Sequence, residues 1–267
     1  QHIAGEHASL LTAGCSLADL ESLDPDKVEV VGVCGNSMGW YTALAAAGAL
    51  SLDDAGTLID TMGSYQTGNV QGGQILYPLV GADWRRDPDL EARVAHVVAA
   101  VPGLYWSIHL GGSAVLGGTD EALRTALSLL PELERGTTRY PLKLPLHSAF
   151  HTPVMSEARA RARFELGDLG WCSPHLPLID GRGFVHAAHW ADPMPIKRWT
   201  LGSQVTEAFD FNAMLATALG ELGPTSIVLP GPGSSLGGAV AQVLISLGWQ
   251  GIHSKDDFLA RQTEDPI

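Results

Sequence analysis

The chain has 267 residues, 45% apolar and 17% charged, too apolar for a disordered protein and long enough for one large or two modest domains. Its formal net charge of −13 speaks against a nucleic-acid partner, because phosphate backbones need a basic face. Cys15, Cys34 and Cys172 share no CxxC spacing and cannot all pair, which points to a reducing, cytoplasmic setting without a disulfide framework. No stretch of about 18 consecutive apolar residues occurs, so no membrane association is expected.

In chain order, residues 1–27 read as helical or irregular, and their opening "QHIAGEHASLLTAG" lacks the basic and then apolar layout of a secretory signal. The start is abrupt, so we expect a preceding segment that has either been removed or is not part of this chain. "KVEVVGVCG" reads as a short buried strand, followed at once by the helix "SMGWYTALAAAGAL". Ser51 and Asp54 form a cap signal for a helix through Ala55, Leu58, Ile59 and Met62, continuing to Gly68. "QILYPLVG" is then a strand, "DPDLEARVAHVVAAV" a helix, "LYWSIHL" and "SAVLGG" strands, "DEALRTALSLL" a helix and "TRYPLKLPL" a strand. That β-α-β-β-α-β order matches a ferredoxin-like split unit. Further on come a helix in "TPVMSEARARARFELG", a strand in "LPLID", a long helical stretch over 200–223, a strand in "TSIVLPG" and a closing helix in "SLGGAVAQVLISLG". Strands alternating with helices predict an α/β fold with a parallel sheet covered on both faces. The expected organisation is a large domain from 1–73 and 147–267, with a small subdomain, 74–146, inserted into it.

The pentad Gly35-Asn36-Ser37-Met38-Gly39 fits G-x-S-x-G, placed after a strand and before a helix. Two readings compete. In one, the glycines make a turn and the serine caps the helix. In the other, the turn is a nucleophile elbow that holds the Ser37 hydroxyl outward, with the Met38 amide as an oxyanion donor at the helix N-terminus. A serine nucleophile needs a base, and His147 and His151 lie where a strand runs out into a loop and helix. Their spacing of four resembles H-E-x-x-H, but Ser148 stands in place of the glutamate and no third ligand is apparent, so a metal site is rejected. "LPGPGSSLGG" lacks Gly-Lys-Ser/Thr and the G-x-G-x-x-G spacing, so it does not read as a phosphate loop.

"CGNSMGWYTALAAAGALSLDDAGTLI", "SAFHTPVM" and "LPGPGSSLGGAV" occur in the order and approximate spacing of malonyl-CoA:acyl-carrier-protein transacylases. The chain resembles that family from about Leu10 to Leu247. The resemblance implies a hydrolase-like sheet with a ferredoxin-like insertion. It also implies transfer of an acyl group from acyl-CoA to an acyl-carrier-protein thiol through a seryl acyl-enzyme, with no bound cofactor. Ser37 would be the nucleophile and His151 the base, oriented by the backbone carbonyl of Gln204. Ser148 and Phe150 fall in the substrate-binding motif around the base.

Three departures from the family pattern matter. Met62, 25 residues after Ser37, stands where the family carries an arginine for the malonyl carboxylate. A thioether leaves that charge unpaired, at a cost on the order of a thousandfold in affinity, so an uncharged acyl group is expected. Asn36 replaces a histidine that supports the pocket. The family's Gly-Gln-Gly loop, source of a second oxyanion donor, has no counterpart in the chain. Hydrolysis of the acyl-enzyme by water, or an impaired scaffold, are the alternatives to transfer. In "EARARARFELG", Arg159 and Arg163 share a helical face, either as a solvated surface or as a docking spot for the acidic carrier protein.

Overall fold

The computed structural model describes residues 5–65, 71–145 and 147–264. Along the chain come α1 (Gly5–Glu21), β1 (Val33–Cys34), α2 (Met38–Ala46), α3 (Leu52–Ser64), β2 (Gly73–Pro78), α4 (Pro88–Ala100), β3 (Leu104–Leu110) and β4 (Ser113–Gly118). There follow α5 (Asp120–Leu129), β5 (Leu133–Arg135), β6 (Thr138–Tyr140), β7 (Leu142–Leu144), α6 (Ser156–Glu165), β8 (Leu178–Ile179), β9 (Val185–His186) and α7 (Pro193–Arg198). A π-helical turn, Trp199–Ser203, leads into α8 (Gln204–Thr206), β10 (Phe209–Asp210), α9 (Phe211–Leu222), α10 (Gly237–Leu247) and α11 (Lys255–Glu264). The fold is mixed α/β.

The chain forms two compact units, and it passes between them repeatedly. The first takes residues 1–69, 157–205 and 213–234, and the second takes 70–156, 206–212 and 235–267. In the first unit, α1 packs against α2 and α3. The Ser51 hydroxyl caps α3 by accepting from the Asp54 amide at 3.1 Å, and Asp53 and Asp54 favour the positive end of the helix dipole. The helix buries Ala55, Leu58 and Ile59, as the spacing predicts. It ends at Ser64; the expected continuation through Gln66 to Gly68 lies outside the described residues.

The parallel sheet of this unit is much shorter than its sequence suggests. Among the described residues of this unit only β1 and β8 pair in parallel, Val33 with Leu178 and Cys34 with Ile179, and β9 turns back antiparallel on β8. The expected strand over 225–231 does not form. Its end is held by side chains of α1 instead of a neighbouring strand: the Gly231 amide donates to Asp19 at 2.6 Å, and the Ser16 hydroxyl donates to the Gly231 carbonyl at 2.6 Å. Val228 and Leu229 are exposed, so the apolar run is not a buried strand.

The second unit contains the expected split motif. Its sheet runs β10-β3-β4-β2-β7, in which the β3–β4, β4–β2 and β2–β7 pairs are antiparallel and the β10–β3 pair is parallel. Helices α4 and α5 cover it, capped by Asp87 and Thr119, and bury Val94, Val97, Leu123 and Ala126 against Ile75, Tyr77, Leu104 and Leu116. The single strand expected over 138–146 divides into β6 and β7, and Leu146 lies outside the described residues. The long helix expected over 200–223 is interrupted, because Phe209 and Asp210 pair in parallel with Ile108 and His109 at the β3 edge. Among the described residues no helix is long and apolar enough to cross a membrane.

Candidate active site

At the end of β1 the backbone reverses within three residues. Ser37 sits at φ 53°, ψ −111°, a region that L-residues occupy only under constraint, at about 1–3 kcal/mol. Gly35 makes the reversal possible: a Cβ there would lie 2.1 Å from the Gly39 carbonyl oxygen and 2.7 Å from the Trp40 amide nitrogen. Ser37 occupies the N-cap position of α2, yet its side chain makes no capping hydrogen bond. The hydrogen bond that a capping serine would make to the helix is therefore not the one Ser37 makes. Met38 opens α2, directly after the strained residue.

The elbow is pinned from below. The Gln204 side chain donates from Nε2 to the Ser37 carbonyl at 3.3 Å and accepts at Oε1 from the Tyr41 hydroxyl at 2.8 Å. One helical turn back, Trp40 Nε1 donates to Thr200 Oγ1 at 2.8 Å, and the Thr200 hydroxyl donates to the Ile196 carbonyl at 2.8 Å. Trp40 and Thr200 are fully buried, and Gln204 and Tyr41 nearly so; Trp40 is thus a core residue. Burial pushes the Tyr41 phenol well above its ordinary value, against the smaller opposing effect of its bond to Gln204.

Other candidates of this unit are placed as follows. Asn36 is half-buried, and its buried Oδ1 has no hydrogen-bond partner. Met62 is half-buried, near the end of α3. Cys34, three residues before Ser37, has its thiol pushed up to about 11 by burial, which keeps it in the unreactive protonated form at neutral pH. On α6, Arg159 is half-buried, while Arg163 is exposed with its guanidinium against Gly202. Arg161 stacks over Tyr65 at 4.3 Å and pairs with Glu165 at 3.3 Å.

A charged cluster next to the elbow is not foreseen from the sequence. Asp180 directly follows β8, the partner of β1, and is fully buried. It accepts from His186 Nε2 at 3.1 Å, from the Arg182 guanidinium, and from the backbone amides of Arg182 and Phe184 at 2.9 and 3.3 Å. Burial works to raise the Asp180 carboxyl, but these donors outweigh it and hold the group below its usual range. The His186 ring lies 6.2 Å from that of Trp40, and the Arg182 guanidinium lies 4.4 Å over the Trp199 ring.

His151 belongs to the second unit. It is 4% exposed and, like Ser37, has a positive φ, 57°, and its ring lies 5.6 Å from Phe209. Its loop is tied down on both sides. Ser148 is fully buried and accepts from the Gln71 amide at 3.2 Å, and the Ala149 amide donates to the Gln71 carbonyl at 2.8 Å. The Thr152 hydroxyl donates to the Ala149 carbonyl at 2.5 Å. Behind Phe150, a relay runs from Gln74 Nε2 to Ser107 Oγ (2.7 Å), and from the Ser107 hydroxyl to the Phe150 carbonyl (2.8 Å). Gln74 and Ser107 were legible in principle: each is a polar residue inside an otherwise apolar strand, where burial demands a partner. His147 is exposed, with Nδ1 2.9 Å from the Pro145 carbonyl. Among the described residues no three His, Cys, Asp or Glu side chains are placed to hold a metal ion.

No family model matches the chain. Curated relatives and solved structures do. Over 236 residues it is 26% identical to the malonyl CoA-acyl carrier protein transacylase of Bacillus subtilis, covering 88% of this chain and 71% of the relative. A crystal structure of the malonyl-CoA:acyl carrier protein transacylase from Xanthomonas oryzae aligns with a TM-score of 0.70 and 25% identity, over 91% of this chain and 74% of that one. Both of these similar proteins are malonyl transacylases. These transacylases are acyltransferase enzymes, and their family is the one that the three sequence motifs resemble. The chain is also 28% identical over 172 residues to the polyketide biosynthesis protein ThaF of Burkholderia thailandensis. That match takes 61% of this chain but 13% of the much longer ThaF protein.

Proposed function

We propose that the protein is an acyltransferase that moves an uncharged acyl group from acyl-CoA to the thiol of an acyl carrier protein. The observation that carries this reading is Ser37: a non-glycine residue held at positive φ between β1 and α2, with no capping bond to the helix. The names of the relatives supply the reaction class. In this reading the Ser37 hydroxyl gives its proton to the His151 imidazole and attacks the thioester carbonyl. The carbon–sulfur bond then breaks, and the imidazolium returns the proton to the departing CoA thiol. The carrier thiol runs the same steps in reverse order and frees the serine. The Met38 amide stabilises the oxyanion, the Gln204 carbonyl orients His151, and Asn36, Met62, Ser148 and Phe150 contact the acyl group. Arg159 and Arg163 receive the acidic carrier. The activated donor brings its own thiol, so the reading calls for no bound cofactor, and free cysteines suit a cytoplasmic setting.

The substrate preference rests on Met62, which cannot pair with a malonyl carboxylate. Incubating the protein with a panel of acyl-CoAs and weighing the intact protein tests this directly. Acetyl or longer neutral adducts should exceed malonyl by about a hundredfold or more, and Ser37→Ala should carry none. A malonyl adduct as abundant as the neutral ones overturns the preference, and an unmodified protein overturns the activity. An acyl-enzyme that decays in buffer as fast as it does with carrier protein assigns hydrolysis instead.

A further inference from the structure

The side chain of Gln204 has a role apart from its backbone. It lies at the end of a π-helical turn, Trp199–Ser203, a local widening that recurs where a helix is bent to serve a site. The Ser37 carbonyl can only accept, so the Gln204 amide must present its NH2 to it. The amide oxygen then faces Tyr41, whose hydroxyl must donate. Each orientation fixes the next: the carbonyl sets the amide and the amide sets the phenol, and the pair together holds the carbonyl of a residue whose φ is already positive. Ser37 O also accepts from the Trp40 amide at 3.1 Å, so the second donor is not needed to satisfy that atom. It adds a constraint to the peptide that follows the nucleophile, the one that carries the Met38 amide.

We infer that the Tyr41–Gln204 side-chain pair is a positioning device that holds the strained Ser37 peptide in its reactive orientation. The inference rests on Ser37 being the nucleophile. Gln204 here is a positioning residue, since it acts through Ser37 and not on substrate. The isosteric change Gln204→Glu keeps the acceptor for Tyr41 but turns the donor into a carboxylate facing a carbonyl oxygen. Protonation restores the donor, and a buried carboxyl in that place titrates above its ordinary range.

The test is the rate at which a fluorophosphonate labels Ser37 in the intact protein between about pH 5.5 and pH 8. Gln204→Glu should label about thirtyfold more slowly than the parent at the upper pH, a misplaced nucleophile being worth up to about a hundredfold. The ratio of variant to parent should climb toward unity as the pH falls. Tyr41→Phe should slow labelling about three- to tenfold with no such pH trend. A purely structural role would lower the melting temperature of both variants and leave the pH dependence of that ratio flat. A flat ratio, or labelling at the parental rate by folded Gln204→Glu, overturns the inference. If Gln204→Glu does not fold, Tyr41→Phe decides alone, and parental labelling by it overturns the inference. A parent protein that fails to label, or labels equally after Ser37→Ala, sinks the assignment of the nucleophile itself, which is a separate outcome.

Discussion

Of the two glycines that frame Ser37, only Gly35 is held by contact. Its missing Cβ is where the Gly39 carbonyl and the Trp40 amide pass, and both are backbone, which cannot move aside cheaply. A Cβ on Gly39 meets nothing within 4 Å outside its own helix and chain neighbours. Gly35→Ala should therefore cost about 3 kcal/mol and distort the elbow, whereas Gly39→Ala should fold normally and gain up to about 1 kcal/mol from helix propensity. Chemical denaturation of the two variants checks this. Equal effects would mean that the pentad is a turn of ordinary tolerance. The position of Ser37 was legible because everything that builds the elbow lies within five residues of it. Its fastening was not: Gln204 is 167 residues away, and nothing local in "LGSQVTEAF" distinguishes a clamp from a helix turn.

At the scale of elements, the hairpin of β8 and β9 lies beside the strand that feeds the elbow and is held by Asp180. One buried carboxylate takes donors from His186, Arg182 and two backbone amides. Removing one member of such a cluster strands the rest, so Asp180→Ala should cost about 3–5 kcal/mol. The pH dependence has a definite sign. The folded-state value of Asp180 is depressed, so its contribution is fully present above the unfolded value of about 4. It fades as the pH falls through the lower folded value. Melting temperatures of the parent should drop over that acidic window, and those of Asp180→Asn should drop less. Parallel curves would remove Asp180 from the account. The sequence "LPLIDGRGFVH" gives no warning of this, since Asp-Gly reads as a turn. The misreading over 225–231 has the opposite origin, an apolar run between prolines that looks like a strand but pairs with no strand among the described residues.

For the molecule as a whole, the split β-α-β motif was readable because its strands and helices follow one another without interruption, and β3 spans the seven residues of "LYWSIHL". What completes that sheet comes from elsewhere in the chain. Phe209 and Asp210 add the β10 edge, Asn212 Oδ1 accepts from the Gly111 amide at 2.7 Å, and Gln242 Oε1 accepts from the Gly112 amide at 2.7 Å. Periodicity cannot announce pairings that span a hundred residues or more. An excised 74–146 fragment, lacking these partners, should melt without cooperativity and bind a hydrophobic dye, measured by circular dichroism and fluorescence. A sharp transition matching that of the intact protein would show the partners to be dispensable.

Because segments 206–212 and 235–267 belong to the same unit as 70–156, neither unit is contiguous in the order of synthesis. A ribosome will have made 234 of these 267 residues before the first unit has all its pieces, and must go on through 235–267 before the second does. Unlike a string of self-contained beads, this protein must keep an unfinished sheet edge waiting in the cell, so chaperone supply during translation should govern how much of it survives.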